Sequence, residues 1–155
     1  MRTASTSLVI QAPIGKVWEV MTQIEQYPTW NPFIYAVKAD TLAPRVGGHM
    51  IFKVKFANGS TATSKERVTI FSPPQEGQPS TAEWSYVFEG ILPALYCIQA
   101  TRIQQLTSLP NGATQYFTSE VFRGWGQWLL PLKQVQQGFE SQAAALKKVC
   151  EPQSF

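Results

Sequence analysis

Apolar positions along this chain follow two periods, and the switches between them mark its elements. Ser7 to Gln11 reads as a short strand. Pro13 suits the first turn of a helix, and Ile14, Val17, Trp18 and Met21 continue at helical spacing. Pro28 and Pro32 then forbid a long helix, because each fixes its own φ and restricts the residue before it. Tyr27, Trp30 and Phe33 are spaced so that one or two short helical turns would show all three on one side. This predicts a stiff aromatic corner that leads into an extended run from Ile34 to Asp40.

From there the period is two. Met50, Phe52, Val54 and Phe56 alternate with Lys53 and Lys55, the mark of a half-buried strand. Asn58-Gly59 signals a hairpin, with a return strand from about Thr61 to Phe71. A symmetric two-residue turn would set Phe52 against Lys65. One extra residue in the loop, or a bulge, instead puts Ala62, Ser64, Glu66, Val68 and Ile70 on the inner face, and the buried face favours this register. Ser72 to Pro79 is a Pro- and Gly-rich loop. Thr81 to Glu89 alternates again, with Trp84, Tyr86 and Phe88 together, and Gly90 to Pro93 breaks it. Leu95 to Thr107 and Thr114 to Gly124 form a long hairpin. Symmetry about Asn111 sets Arg102 opposite Glu120, Ala100 opposite Phe122 and Leu106 opposite Tyr116. From Gly126 the period becomes helical, with Leu132, Val135, Phe139, Gln142, Leu146 and Val149 on one stripe and the small Gly138 and Ala143 beside it.

Hairpin-linked strands pair antiparallel, and their apolar face needs a cover that only the last helix is long enough to supply. The expected fold is therefore α+β. A seven-stranded curved antiparallel sheet wraps around a long C-terminal helix, with two short helices after the first strand: the helix-grip architecture. At 155 residues the chain fits one domain, 1–155, with room for a substantial core.

Composition narrows the partners. Charged residues are only 15% and the net charge is +3, with lysines and arginines scattered, so no nucleic-acid stripe is present. No apolar run approaches a membrane span, which argues against stable membrane insertion. Met1 to Ser7 lacks the apolar core of a signal peptide, and two distant cysteines, Cys97 and Cys150, fit a reduced chain, so the expectation is cytoplasmic. A surface thiol at Cys150 is one possibility. The sequence leaves the oligomeric state open.

Several segments carry a resemblance. Leu8-Val9-Ile10-Gln11-Ala12-Pro13, then Val17-Trp18-Glu19-Val20-Met21, then Tyr27-Pro28 with Trp30-Asn31-Pro32-Phe33, resemble the start of the SRPBCC superfamily. These are the START-related, polyketide cyclase/dehydrase and lipid-transport proteins. Glu120 to Gly124, Gly138-Phe139-Glu140 and Ala145-Leu146-Lys147 resemble positions near the last strand and in the final helix. The resemblance implies a helix-grip fold that binds or carries a small hydrophobic or amphipathic molecule, as a carrier or sensor. It also admits a cyclase- or hydratase-like enzyme acting on a polyketide-type substrate, in which Glu66, Glu120 or Tyr116 moves protons. A third class is an interaction module like the chaperone-ATPase-activator members, with no ligand.

Candidate chemistry sits on the inner face. Phe52, Trp84, Tyr86, Phe88, Tyr116 and Phe122 project toward Phe139, Gln142 and Leu146 of the last helix. They either fill that space or line a ligand pocket. Trp30 and Phe33 with Leu92-Pro93-Ala94 are candidates for a gate at one end. Arg102 and Glu120 form an inward charged pair, either a structural ion pair or the polar end of a site. Glu83 and Glu89 fall on the outer face, and Glu66 on the inner one. His49 is the sole histidine and suits an exposed or capping place at a strand start. There is no Walker loop, no Gly-x-Ser-x-Gly elbow and no multi-histidine set, so no cofactor, metal or catalytic residue is assigned.

Overall fold

The structure, a computed structural model, describes residues 1–77 and 79–153. Of the expected loop 72–79, Gln78 lies outside the described residues. The chain runs β1 (Arg2–Ile10), α1 (Ile14–Thr22), a 3-10 turn (Ile24–Gln26), α2 (Tyr27–Trp30), β2 (Ile34–Ala39), β3 (His49–Lys55) and β4 (Thr61–Ser72). It continues through β5 (Thr81–Phe88), α3 (Ile91–Ala94), β6 (Gln99–Ser108), β7 (Thr114–Arg123), a second 3-10 turn (Gln127–Leu129) and α4 (Leu132–Cys150). The strands form one antiparallel seven-stranded sheet in the order β1-β7-β6-β5-β4-β3-β2. The sheet curves around α4, which is the helix-grip fold.

Both hairpin registers follow the apolar face. Phe52 pairs with Ser64 and Val54 with Ala62, so the β3–β4 loop carries one residue beyond Asn58-Gly59. Gly59 takes φ +85 there, a conformation that suits glycine. Arg102 pairs with Glu120, Ala100 with Phe122 and Leu106 with Tyr116. Four details differ from the pattern. A bulge in β4 between Val68 and Ile70 turns Ile70 out to solvent and brings Phe71 inside, against Trp18 and Trp84. The first strand starts at Arg2, because β7 offers it pairing partners along its whole length. Residues 91–98 make a helical turn and a loop before β6 begins at Gln99. The final helix begins at Leu132, after Pro131, and it buries Cys150 while Val149 is exposed. Cys150 is thus a core residue, and burial pushes its thiol up to about 11.

The helix holds the sheet edge by side chains that act as backbone. β1 is an edge strand, and its outward amide groups need partners. Gln136 of α4 supplies both functions to Ser5, accepting from its N–H at 2.8 Å and donating to its carbonyl at 2.6 Å. Lys147 Nζ donates to the Val9 carbonyl at 2.8 Å, and Glu151 accepts from the Gln11 N–H at 2.8 Å. Lys147 also pairs with Glu151 one turn on.

The proline corner docks onto the same helix. Asn31 Oδ1 accepts from the N–H groups of Phe33 and Ile34, at 3.0 and 2.9 Å, which sets the exit into β2. Phe33 then lies against Gly138, so close that a Cβ on Gly138 would sit 2.3 Å from the ring. Glycine in a helix interior costs about 1 kcal/mol relative to alanine, so this contact must repay it. We predict that Gly138→Ala destabilises the protein by roughly 1–3 kcal/mol through overpacking, against its propensity gain. Thermal and urea unfolding check this, and a Gly138→Ala variant more stable than the parent would refute the contact.

Candidate functional site

Between the sheet and α4 lies a cavity of about 200 Å³. The alternation of β3 through β7 aims side chains into it from one face, and α4 closes it with Val135 and Phe139. Phe33, Phe52, Tyr86, Phe88, Arg102, Glu120, Phe122 and Phe139, all expected from sequence, line it together. Phe33 meets Phe139 edge-on at 5.8 Å, and Phe52 meets Tyr86 edge-on at 5.2 Å, the arrangement aromatic quadrupoles favour.

Trp30, Trp84, Tyr116 and Gln142 do not reach the cavity, nor do Leu146, Pro93 and Ala94. Trp30 is partly buried against Tyr27, edge-on at 5.2 Å, while Tyr27 donates its hydroxyl to the Met21 carbonyl at 2.6 Å. So of the expected gate, Phe33 and Leu92 reach the lining and Trp30 backs the corner. Trp84 lies deeper, between Phe71 and Tyr86, in the closed end of the core. Tyr116 donates to Gln104 Oε1 at 2.9 Å, and Gln104 donates in turn to the Tyr86 hydroxyl at 3.3 Å. Gln142 is buried behind Arg102 and holds it. Other lining residues went unassigned from sequence: Ile34, Val54, Phe56, Ile98, Ala100, Leu130 and Val135 among them. The alternation that placed Phe52 inward also places Val54 and Phe56, and that signal could have found them.

The polar end holds three charged-type side chains. Arg102 is 3% exposed. Its Nε donates to Thr118 Oγ1 and its Nη2 to Gln142 Oε1, both at 3.2 Å, and the guanidinium carbon sits 4.1 Å above the Phe139 ring. Glu120 is its cross-strand neighbour, yet no ion pair within 4.0 Å joins them, so the expected direct pairing gives way to these neutral partners. Glu66 is 4% exposed and lines the same cavity. Its Oε1 accepts from the Ser64 hydroxyl, and its Oε2 has no hydrogen-bond partner among the described residues. Burial pushes the Glu66 carboxyl well above the usual range, and nearby Glu120 adds to this, while Ser64 and Arg102 hold it back. Burial raises Glu120 as well, against the pull of Arg102.

The outer face is separate chemistry. His49 lies between Glu89, at 3.1 Å from Nε2, and Asp40, at 3.7 Å from Nδ1, and Arg67 Nε donates to Glu89 at 2.5 Å. This half-exposed cluster ties the start of β3 to β4 and the end of β5, away from the cavity. Glu83 also faces outward, accepting from Ser85 and Gln105. Among the described residues no helix is long and apolar enough to cross a membrane.

The comparisons with known proteins agree with this geometry. Among solved structures the chain is similar to hypothetical protein jhp0584 from Helicobacter pylori, with TM-score 0.73 and 11% identity over 97% of this chain and 88% of that one. It is similar to the di-domain ARO/CYC BexL from the BE-7585A biosynthetic pathway, with TM-score 0.70 and 12% identity over 99% of this chain and 51% of that one. It is also similar to the ginseng major latex-like protein 151 from Panax ginseng, with TM-score 0.65 and 11% identity over 97% of this chain and 98% of that one. Identities this low carry the fold alone. No curated protein sequence matches. Residues 1–151 match one family over nearly the whole chain, and the chain belongs to that family, polyketide cyclase / dehydrase and lipid transport.

Proposed function

We propose that this protein binds a small amphipathic molecule between sheet and α4, its apolar body among the phenylalanines and an oxygen-bearing end against Arg102. One observation carries the reading. An apolar-walled cavity ends in a buried guanidinium and a carboxyl oxygen, Glu66 Oε2, that has no partner among the described residues. Unpaired buried polar atoms cost roughly 1–3 kcal/mol, and a ligand group can recover that. Arg102 has N–H donors beyond the two it spends on Thr118 and Gln142, in a fork suited to a carboxylate or carbonyl. At about 200 Å³ the cavity is below the ~300–1,000 Å³ of drug-sized sites, so the ligand is small: one or two rings, or a short chain.

A second reading is favoured by Glu66 and Glu120. Two carboxyls raised toward neutrality in one cavity can give and take protons from a bound substrate, as a cyclase or hydratase requires. Tyr116 is spent on Gln104 and takes no part in this reading. Turnover of a polyketide-type substrate, lost in both Glu66→Gln and Glu120→Gln, would favour the enzyme over the carrier.

Native mass spectrometry of freshly purified protein should reveal a co-purified small molecule. Removal of Arg102 alone would leave Glu120 without its counter-charge, so the useful variant is Arg102→Met with Glu120→Leu. It should fold and still bind an uncharged apolar fluorophore. Its affinity for a carboxylated one should fall by roughly 1.5–3 kcal/mol, the worth of a hydrogen bond to a charged group. Unchanged affinity for both probes would make the pair purely structural, and no saturable binding of either probe to the parent would sink the ligand reading.

Stability should also report the raised carboxyl. Above the ordinary glutamate range, folded Glu66 keeps a proton that the unfolded chain releases. The folded state then binds more protons, and stability falls as pH rises through that window. Glu66→Gln removes this slope. Its melting temperature should gain on the parent's steadily from pH ~5 to pH ~9, above the ordinary ~4.3 of a glutamate. Parallel curves would show that Glu66 is ionised throughout.

A further inference from the structure

Two segments that each give one residue to the cavity lining, Leu92 and Leu130, also carry exposed apolar side chains that packing does not account for. Trp125 and Trp128 are each 72% exposed and Leu129 80%, on the segment between β7 and α4. Ile91, Leu95 and Tyr96 are exposed on the segment between β5 and β6. The two segments are bound together: Gly126 donates to the Cys97 carbonyl at 2.7 Å, and Trp125 Nε1 to the Leu95 carbonyl at 3.3 Å. Gly124, at φ +98, permits the approach, since a Cβ there would lie 2.5 Å from the Tyr96 and Cys97 carbonyls. So the six residues form one joined surface, too apolar for ordinary solvated loops.

Its charges have one sign. Residues 91–98 and 124–132 contain no acidic side chain, Arg123 and Lys133 flank the second stretch, and Glu89, two residues before the first, is already held by Arg67 and His49. Arg2 lies beside it, its guanidinium 5.1 Å from the Trp128 ring, donating to the Gln127 and Leu130 carbonyls at 3.0 and 3.2 Å. A twofold dimer through this surface would set these cations against themselves with no acid to meet them. An anionic lipid surface meets both features: tryptophan and tyrosine favour the headgroup boundary, and flanking cations favour acidic lipids.

We propose that these two loops dock the protein on an anionic membrane surface. Leu92 and Leu130, from the same two segments, also line the cavity, so docking faces its mouth to the lipid. Passage of an apolar ligand across that contact rests on the binding function proposed above; the docking does not.

Vesicles of equal parts phosphatidylcholine and phosphatidylserine, without added ligand, provide the test. The full chain should float with them, and far less with pure phosphatidylcholine or at high salt. Trp125→Ser with Trp128→Ser and Leu129→Ser should reduce partitioning roughly tenfold or more, as loss of buried apolar area requires, with the carboxylated-fluorophore affinity unchanged. If that variant fails to fold, Trp125→Phe and Trp128→Phe serve instead. Acyl-chain-brominated lipid should quench parent emission, and these two variants should lose the quenched component. The proposal is overturned if the parent stays in solution with acidic vesicles, if brominated lipid leaves its emission unchanged, or if the triple variant floats as well as the parent. It is equally overturned if sedimentation shows a dimer that the triple variant dissociates while neither binds vesicles. Fluorophore binding without flotation would spare the ligand reading and sink only this one.

Discussion

A guanidinium that cannot lose its proton sits almost fully buried at the end of an apolar cavity, and much of this structure answers to it. Arg102 must find its partners inside the protein. They come from both layers: Thr118 from β7, and Gln142 and the face of Phe139 from α4. The charge therefore couples the sheet to the helix at one point. It also explains why a buried glutamine lies on an otherwise apolar helix stripe, and why two raised carboxyls are tolerated near by: a fixed positive charge lowers the cost of ionising either.

The cavity is the counterpart of this anchor. Phe33 lies against Gly138 and fixes how closely the proline corner approaches α4. Beside Phe33 and Phe139 the space is walled by other rings, by aliphatic side chains such as Val54, Ile98 and Val135, and by Arg102, Glu66 and Glu120, and it remains partly empty. The core at the closed end is differently made. There Trp18, Phe71, Trp84 and Tyr86 pack ring to ring, and Gln104 satisfies two tyrosine hydroxyls. One part of the inner face is thus packed ring to ring, and the other part lines the cavity.

The pattern of the chain was enough for the architecture. Period-two alternation in Met50 to Phe56 and in Trp84 to Phe88, the two hairpin registers and the helical stripe through Phe139 and Leu146 are local signals. They determine which face is buried wherever they occur. Phe52, Tyr86, Phe88 and Phe122 of the cavity wall follow from the same alternation. So does the inward placement of Glu66, Arg102 and Glu120, because a strand has only two faces.

Depth along that inward face was decided by tertiary structure alone. Trp84 and Phe88 share a side of β5, yet one packs in the closed end and the other lines the cavity, and periodicity is blind to that difference. The bulge after Val68 inverts Ile70 and Phe71 without a glycine or proline to announce it. Arg102 bonds Thr118 and Gln142 in place of its cross-strand glutamate, because the helix delivers Gln142 from forty residues away. The joining of two apolar loops around the mouth depends on Gly126 reaching Cys97, a contact between segments distant in sequence. Faces are a property of local backbone geometry and can be read from the sequence. Distance between faces depends on how strands and helix pack in three dimensions, and only the folded chain sets it.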